Sequence, residues 1–266
     1  MALTPDPSAG EPQANSPDLQ ESIVVLIDAA RDEGLTLRLI GGRAVRLLCG
    51  TDPARLRRAQ DIDLVIAAAE GGPITRFLSR QGFLPDQVFN AINGHRQMFF
   101  LAPDGTTSVD IIVDDLHMCH TLPLVGRLHR LDYTVDVSDL LLSKLQIVEL
   151  NDKDVRDIAR ILATHHVVPG DPVGTVGLGR FDEILSRDWG WWRTVTKNLE
   201  HLERLLASGQ VGAADAFGPS VEVLDNVRAL RRRAFEVPKT KLWKMRALVG
   251  EHKRWYALPE EASHAM

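Results

Sequence analysis

Apolar positions along this chain recur at helical spacing, then in short alternating runs, then at helical spacing again. In SPDLQESIVVLIDAARDEG, Leu19, Ile23, Leu26 and Ile27 predict one helix, with Ser16 or Asp18 to cap it and Gly34 to end it. LTLRLIGG reads as a short strand stopped by glycine, RAVRLLCG as a short helix starting at the glycines, and DIDLVIA as a second strand. GGPITRFLSRQGF puts Ile74, Phe77 and Leu78 on one helical face. RQMFFLAP and TSVDIIVDD flank PDGT, whose Asp104-Gly105 pair is a turn signal, so this stretch predicts a hairpin. VSDLLLSKLQIVEL (137–150) predicts a helix capped by Ser138 or Asp139, and DKDVRDIARILATHH another, with aspartates at the end where a helix favours negative charge. The remainder, after the Gly/Pro-rich VVPGDPVGTVGLGR, is helical in pattern.

Strands close in sequence and interleaved with helices predict an α+β fold: an α/β N-terminal domain with a small mixed sheet, then a helical C-terminal region. The expected division is a disordered leader over 1–17, an N-terminal domain over 18–166, a linker over 167–180 and a helical domain over 181–266. GTVGLG within the linker lacks the Gly-Lys-Ser/Thr ending and the preceding strand of a phosphate loop.

Composition narrows the classes. With 44% hydrophobic and 25% charged residues in 266, the chain has the usage of an ordinary globular protein with one large domain or two smaller ones. Its net charge of −5 is unevenly spread. From Val221 onward ten Lys/Arg face six Asp/Glu, which leaves a basic end on an acidic body. That asymmetry suits a polyanion such as RNA, or a solvated helix face. The two cysteines, Cys49 and Cys119, lack metal-site spacing, and HMCH (His117 to His120) is not a usual zinc pattern. No apolar run reaches membrane-span length and no basic-then-apolar signal opens the sequence, so a cytoplasmic protein with reduced thiols and no membrane partner is expected.

Candidate chemistry lies in the carboxylates. Asp61 and Asp63, one residue apart at a strand start, leave the same face. Like charges side by side repel and raise a pKa unless a cation intervenes, and a hard oxygen site suits Mg²⁺. Asp110 lies opposite the apolar face of Val109, Ile111 and Val113 and is a third candidate. Three aspartates on adjacent strands can hold two metal ions, the arrangement for in-line phosphoryl or nucleotidyl transfer. Gly41 and Gly42, between strand and helix, let backbone N–H groups approach an anion, so triphosphate on the glycines and metal on the aspartates make one coherent site. Lys144, on an otherwise apolar helical stretch, adds a cation that can reach phosphate or extend off a core helix.

The order Gly-Gly, Asp-x-Asp, a strand with Asp and a helix with Lys resembles the nucleotidyltransferase superfamily that includes DNA polymerase β. VSDLLLSKLQIVELNDKDVRDIARIL is similar to the helical pair of abortive-infection toxins and related minimal nucleotidyltransferases, with Lys144 and a Lys153-Asp154-Val155-Arg156-Asp157 start to the second helix. Together the likeness covers about 130 residues. Members usually show Arg-x-Thr-x-Asp-x-Asp; this chain keeps the arginine as Arg57 and has Ala59 for the threonine.

The resemblance implies an Mg²⁺-dependent enzyme, with two ions, that moves a nucleoside monophosphate from an NTP such as ATP to an acceptor hydroxyl. It implies metal on Asp61, Asp63 and Asp110, with Asp110 also activating the hydroxyl. Triphosphate would lie on Gly41, Gly42 and Arg43, with Lys144 neutralising developing charge. Asp154 and Asp157 would orient Lys144 or Arg57, or cap their helix. The implied acceptors are tRNA, a protein side chain or an aminoglycoside-type antibiotic, and a toxin would bring a cognate antitoxin. A catalytically silent nucleotide sensor on the same fold is the alternative, although all three aspartates are present. In the C-terminal segment, Trp243 and Trp255 among basic residues suit RNA, or a packed helical cap with a tryptophan core.

Overall fold

The computed structural model describes residues 19–50, 61–209 and 220–258. The expected leader, the Ser16 and Asp18 caps, and Arg57 lie outside the described residues.

Helix α1 (Leu19–Asp32) buries Ile23, Leu26 and Ile27 of the expected stripe, and Ala30 continues it. Strand β1 (Arg38–Ile40) runs directly into α2 (Gly41–Cys49), and β2 (Ile62–Ile66) is followed by α3 (Gly71–Arg80). Next come β3 (Leu84–Pro85), α4 (Gln87–Asn93), β4 (Gln97–Leu101) and β5 (Ser108–Val113). The predicted β4–β5 hairpin forms: Gly105 has φ +69°, and Asp104 accepts hydrogen bonds from the backbone of Thr106 and Thr107. The periodicity did not disclose α4, β3 or the pair β6 (Asp115–His117) and β7 (Thr121–Pro123), which are too short for a period to show.

These strands form one mixed five-stranded sheet in the order β1-β2-β5-β4-β3. Only β2 and β5 pair in parallel; the other neighbours are antiparallel. Alternation along β5 buries Val109, Ile111 and Val113 and leaves Ser108, Asp110 and Ile112 on the other face. On β2 the burial is nearly continuous and Asp63 is the interruption. The fold is therefore α+β with a small mixed sheet, as the pattern predicts.

Helix α5 (Val137–Leu145) is buried at every position, including Ser138, Asp139, Ser143 and Lys144. Its cap is Asp136, whose side chain accepts from the Val137 N–H at 2.7 Å, rather than Ser138 or Asp139. Asp139 is drawn inward by Arg127 (2.6 Å) and Arg180 (2.8 Å), while Ser138 donates to the Thr175 carbonyl. Helix α6 (Asp152–Thr164) follows and packs on α2 and α5.

The Gly/Pro stretch carries β8 (Val167–Val168), paired in parallel with β9 (Val176–Gly177). Asp171 in its turn forms ion pairs with Arg127 and Arg130. Four helices complete the described chain: α7 (Leu178–Leu185), α8 (Trp189–Ala207), α9 (Ser220–Glu236) and α10 (Lys241–Val249). One apolar cluster runs from Ile23 through the sheet and α5 to Leu230 and Ala234 on α9. Trp243 and Trp255 pack edge-on against Trp192 and Trp189, which supports the helical-cap reading of those rings. No helix among the described residues is long and apolar enough to cross a membrane.

Candidate active site

The site follows from three adjacent backbones. Ile40, the last residue of β1, is in register with Asp63 on β2, and Asp63 is in register with Asp110 on β5. The two aspartates therefore stand level on neighbouring strands, which lie about 4.8 Å apart, and Gly41, which follows the β1 partner of Asp63, completes a row with them. Gly41 has φ +71°, and a Cβ there would collide with Oδ2 of Asp63 and stand 3.1 Å from its Cγ. Both conformation and space require glycine at this position. Helix α2 begins at that contact with no side-chain cap hydrogen bond on its first N–H groups.

The Asp63 carboxyl is pushed up to about 6, first by burial and then by the charge of Asp110; Lys144 works in the opposite direction, and Asp61 adds a smaller repulsion. The sequence pairs Asp63 with Asp61, but the dominant like-charge neighbour is Asp110. The reason is register: Asp110 is level with Asp63, whereas Asp61 precedes β2 and accepts a short hydrogen bond from the Ser108 hydroxyl at the head of β5.

Lys144 is 8% exposed, with Nζ 3.0 Å from Oδ2 of Asp157 and 3.4 Å from Oδ1 of Asp154. Asp154 and Asp157, three residues apart, share one face of α6. The capping role belongs to Asn151, which accepts from the Lys153 and Asp154 N–H groups at 2.9 and 3.0 Å and leaves both aspartates to orient Lys144. Lys144 thus stands between two carboxylates that hold it and a third, Asp63, that feels its charge.

Arg43 is 2% exposed and donates from Nε to the Asp61 carbonyl at 3.2 Å, so it braces the entry to β2 from inside. Gly42 is the second residue of α2. Gln97 on β4, not among the residues expected at the site, donates from Nε2 to Oδ1 of Asp110 at 2.8 Å. The signal was available: Gln97 is a polar side chain opening an apolar strand, beside the strand that carries Asp110. Lys153, part of the motif that opens α6, also favours the charged form of the Asp63 carboxyl.

The carboxylate pair fits a divalent cation. Its donors are hard oxygens, and their repulsion with burial is what a cation between them relieves. Among the described residues no three Asp, Glu, His or Cys side chains form a ready-made metal group. Two carboxylates completed by water and phosphate oxygens are nevertheless the usual provision for Mg²⁺. HMCH is no such site: His120 bonds Thr194 at 2.8 Å, lies on Trp191 and is pushed down to about 4 by burial, and Cys119 is buried.

No family model and no curated protein matches the chain. Two solved structures share parts of its architecture. One is the antibiotic-resistance factor ANT(2'')-Ia, at 13% identity and TM-score 0.37, covering 54% of this chain and 82% of that one. Another is an antigenic nucleotidyltransferase-like protein from Paracoccidioides brasiliensis, at 18% identity and TM-score 0.41, covering 77% and 96%. At those values neither likeness bears on function.

Proposed function

We propose that this protein is an Mg²⁺-dependent nucleotidyltransferase that moves a nucleoside monophosphate from an NTP to an acceptor hydroxyl and releases pyrophosphate. The observation that carries the reading is the row of Gly41, Asp63 and Asp110, which sets uncapped backbone N–H groups beside two mutually repelling carboxylates. Asp63 and Asp110 would hold the metal, with Asp61 beside them. Mg²⁺ when bound supplies Lewis-acid stabilisation of the phosphoryl oxygens. Gly41 and Gly42 bind triphosphate through backbone N–H groups at the positive end of α2. Lys144, fixed by Asp154 and Asp157, presents a positioned charge to the anion that develops during transfer. Gln97 donates to one oxygen of Asp110 and so orients the carboxylate that would hold the metal or take the acceptor hydroxyl proton.

The test is incubation with each labelled NTP and Mg²⁺, with total cell RNA, protein or an aminoglycoside as acceptor. Label that appears on one acceptor and is absent with an Asp61→Ala/Asp63→Ala protein supports the reading and identifies the acceptor. Nucleotide binding with no label on any of the three overturns transfer in favour of a nucleotide sensor.

A further inference from the structure

Helix α9 carries two distinct stripes. Val223, Val227, Leu230 and Ala234 recur at helical spacing and are buried against the rest of the protein. Arg228, Arg231, Arg232 and Phe235 form a second stripe on the adjoining face, spaced so that they stack one above another. Phe235 is the anomaly in that stripe. It is 58% exposed, touching Trp192 only edge-on at a centroid distance of 5.4 Å, although α9 has a buried face for apolar side chains.

The four side chains and Glu203 of α8 line an open groove of ≈280 Å³. Glu203 accepts from Nε of Arg228 and from a terminal nitrogen of Arg231, both at 3.0 Å. One carboxylate thus orders two guanidiniums, while their remaining N–H groups are available to a further acceptor. Asp225 lies 3.8 Å from Arg228 but is 68% exposed, so solvent screens it. Three guanidiniums against one lining carboxylate leave the groove cationic. The stripe from Arg228 to Phe235 spans about 10 Å of helix, the rise of about three stacked nucleotides.

We propose that this groove binds single-stranded nucleic acid, with phosphodiesters on Arg228, Arg231 and Arg232 and a base stacked on Phe235. Guanidiniums recognise phosphate through paired N–H groups, and an aromatic face beside a basic track takes an unpaired base of any identity. A duplex hides its base faces and cannot use the phenyl ring. The site stands whether or not the chain transfers nucleotides, so its failure leaves the proposed reaction untouched.

Fluorescence anisotropy with the full chain and a short labelled oligoribonucleotide tests this, with the matching deoxyribonucleotide and blunt duplex as further arms. Affinity should fall as salt rises from about 50 to 200 mM, and Arg232→Gln should make the log–log salt slope shallower by about 0.7. Phe235→Ala should weaken the single strand about tenfold and leave the duplex arm unchanged. Arg80→Gln, on α3, should change neither. Equal RNA and DNA affinity supports the shared strand chemistry, and a preference for RNA adds a 2′-hydroxyl contact. The proposal is overturned by no binding at the lowest salt, by duplex bound as tightly as the single strand, by an equal loss in Arg80→Gln, or by an unchanged Phe235→Ala. Should Phe235→Ala lower the melting temperature, Phe235→Leu keeps an apolar side chain without the ring and reads stacking alone.

Discussion

Two regions of this protein gather aspartates, in opposite ways. Behind α5, Asp136 and Asp139 are wholly buried and surrounded by Arg127, Arg130 and Arg180, with Asp171 closing the outer side. Every carboxylate there meets at least one guanidinium. On the sheet, Asp63 and Asp110 stand level with each other on neighbouring strands, and Lys144, the main opposing charge, is already shared with Asp154 and Asp157. The first arrangement is architecture: it ties the β8–β9 stretch and α7 to α5. The second sets like charges side by side, with Asp110 raising the Asp63 carboxyl and Lys144 and Lys153 opposing it. Burial of charge alone does not mark function; like charges side by side, with a carboxyl pushed out of its ordinary range, mark a candidate site.

The contrast can be broken from either side. Asp139→Ala leaves Arg127 and Arg180 facing an empty position in the interior, and urea unfolding should show a loss of about 3–5 kcal/mol. A loss below about 1 kcal/mol would mean that the network is ornamental.

Asp63→Asn should do the reverse. Its carboxyl, raised from 3.8 to about 6, binds its proton more tightly in the folded protein than in the unfolded chain. It therefore favours folding at low pH, and that contribution is lost as pH rises through about 6. Without metal, Asp63→Asn should accordingly be more stable than the parent above pH ~6, by up to about 3 kcal/mol, with the gain vanishing near pH ~4. Transfer should fall by about a hundredfold or more in the same variant. A variant less stable than the parent at neutral pH would contradict the like-charge account.

Gly41→Ala forces a Cβ into Asp63 at a positive φ, a cost of about 1–3 kcal/mol. Thermal melts should show that loss, and triphosphate binding should weaken with it.

The pH dependence of metal binding sharpens the picture with a smaller effect. Protons and Mg²⁺ compete for the carboxylate pair, so the melting-temperature gain from added Mg²⁺ should grow as pH rises through about 6 and shrink below it. Smallest of all, Gln97→Ala should weaken Mg²⁺ binding about tenfold by calorimetry while changing stability by about 1 kcal/mol.

Much of the fold was legible in advance because its signals are local. The stripe of α1, the Gly34 stop, the Asp104-Gly105 turn and the alternation that sets Asp110 against Val109, Ile111 and Val113 are properties of a few consecutive residues. Elements of two or three residues, such as β3, β6 and β7, carry no period and were missed. The pattern around α5 offers Ser138 or Asp139 as its cap; Asp136 takes that role, and Arg180, distant in sequence, draws Asp139 inward. Gln97 and Asn151 acquire their roles only beside Asp110 and at the true start of α6.

The sequence by itself determined which groups were present to do chemistry: a glycine pair between strand and helix, three strand-associated aspartates and a lysine within an apolar helix. Only the tertiary structure decided that Asp63 is raised by burial and then by Asp110 ahead of Asp61, that Arg43 turns inward, and that Asp154 and Asp157 hold Lys144. Periodicity is set by bonds along the chain and can be read from it. Strand register and the choice of ion partner are set by packing between segments far apart in sequence, where a one-residue slip would turn Asp63 to the opposite face.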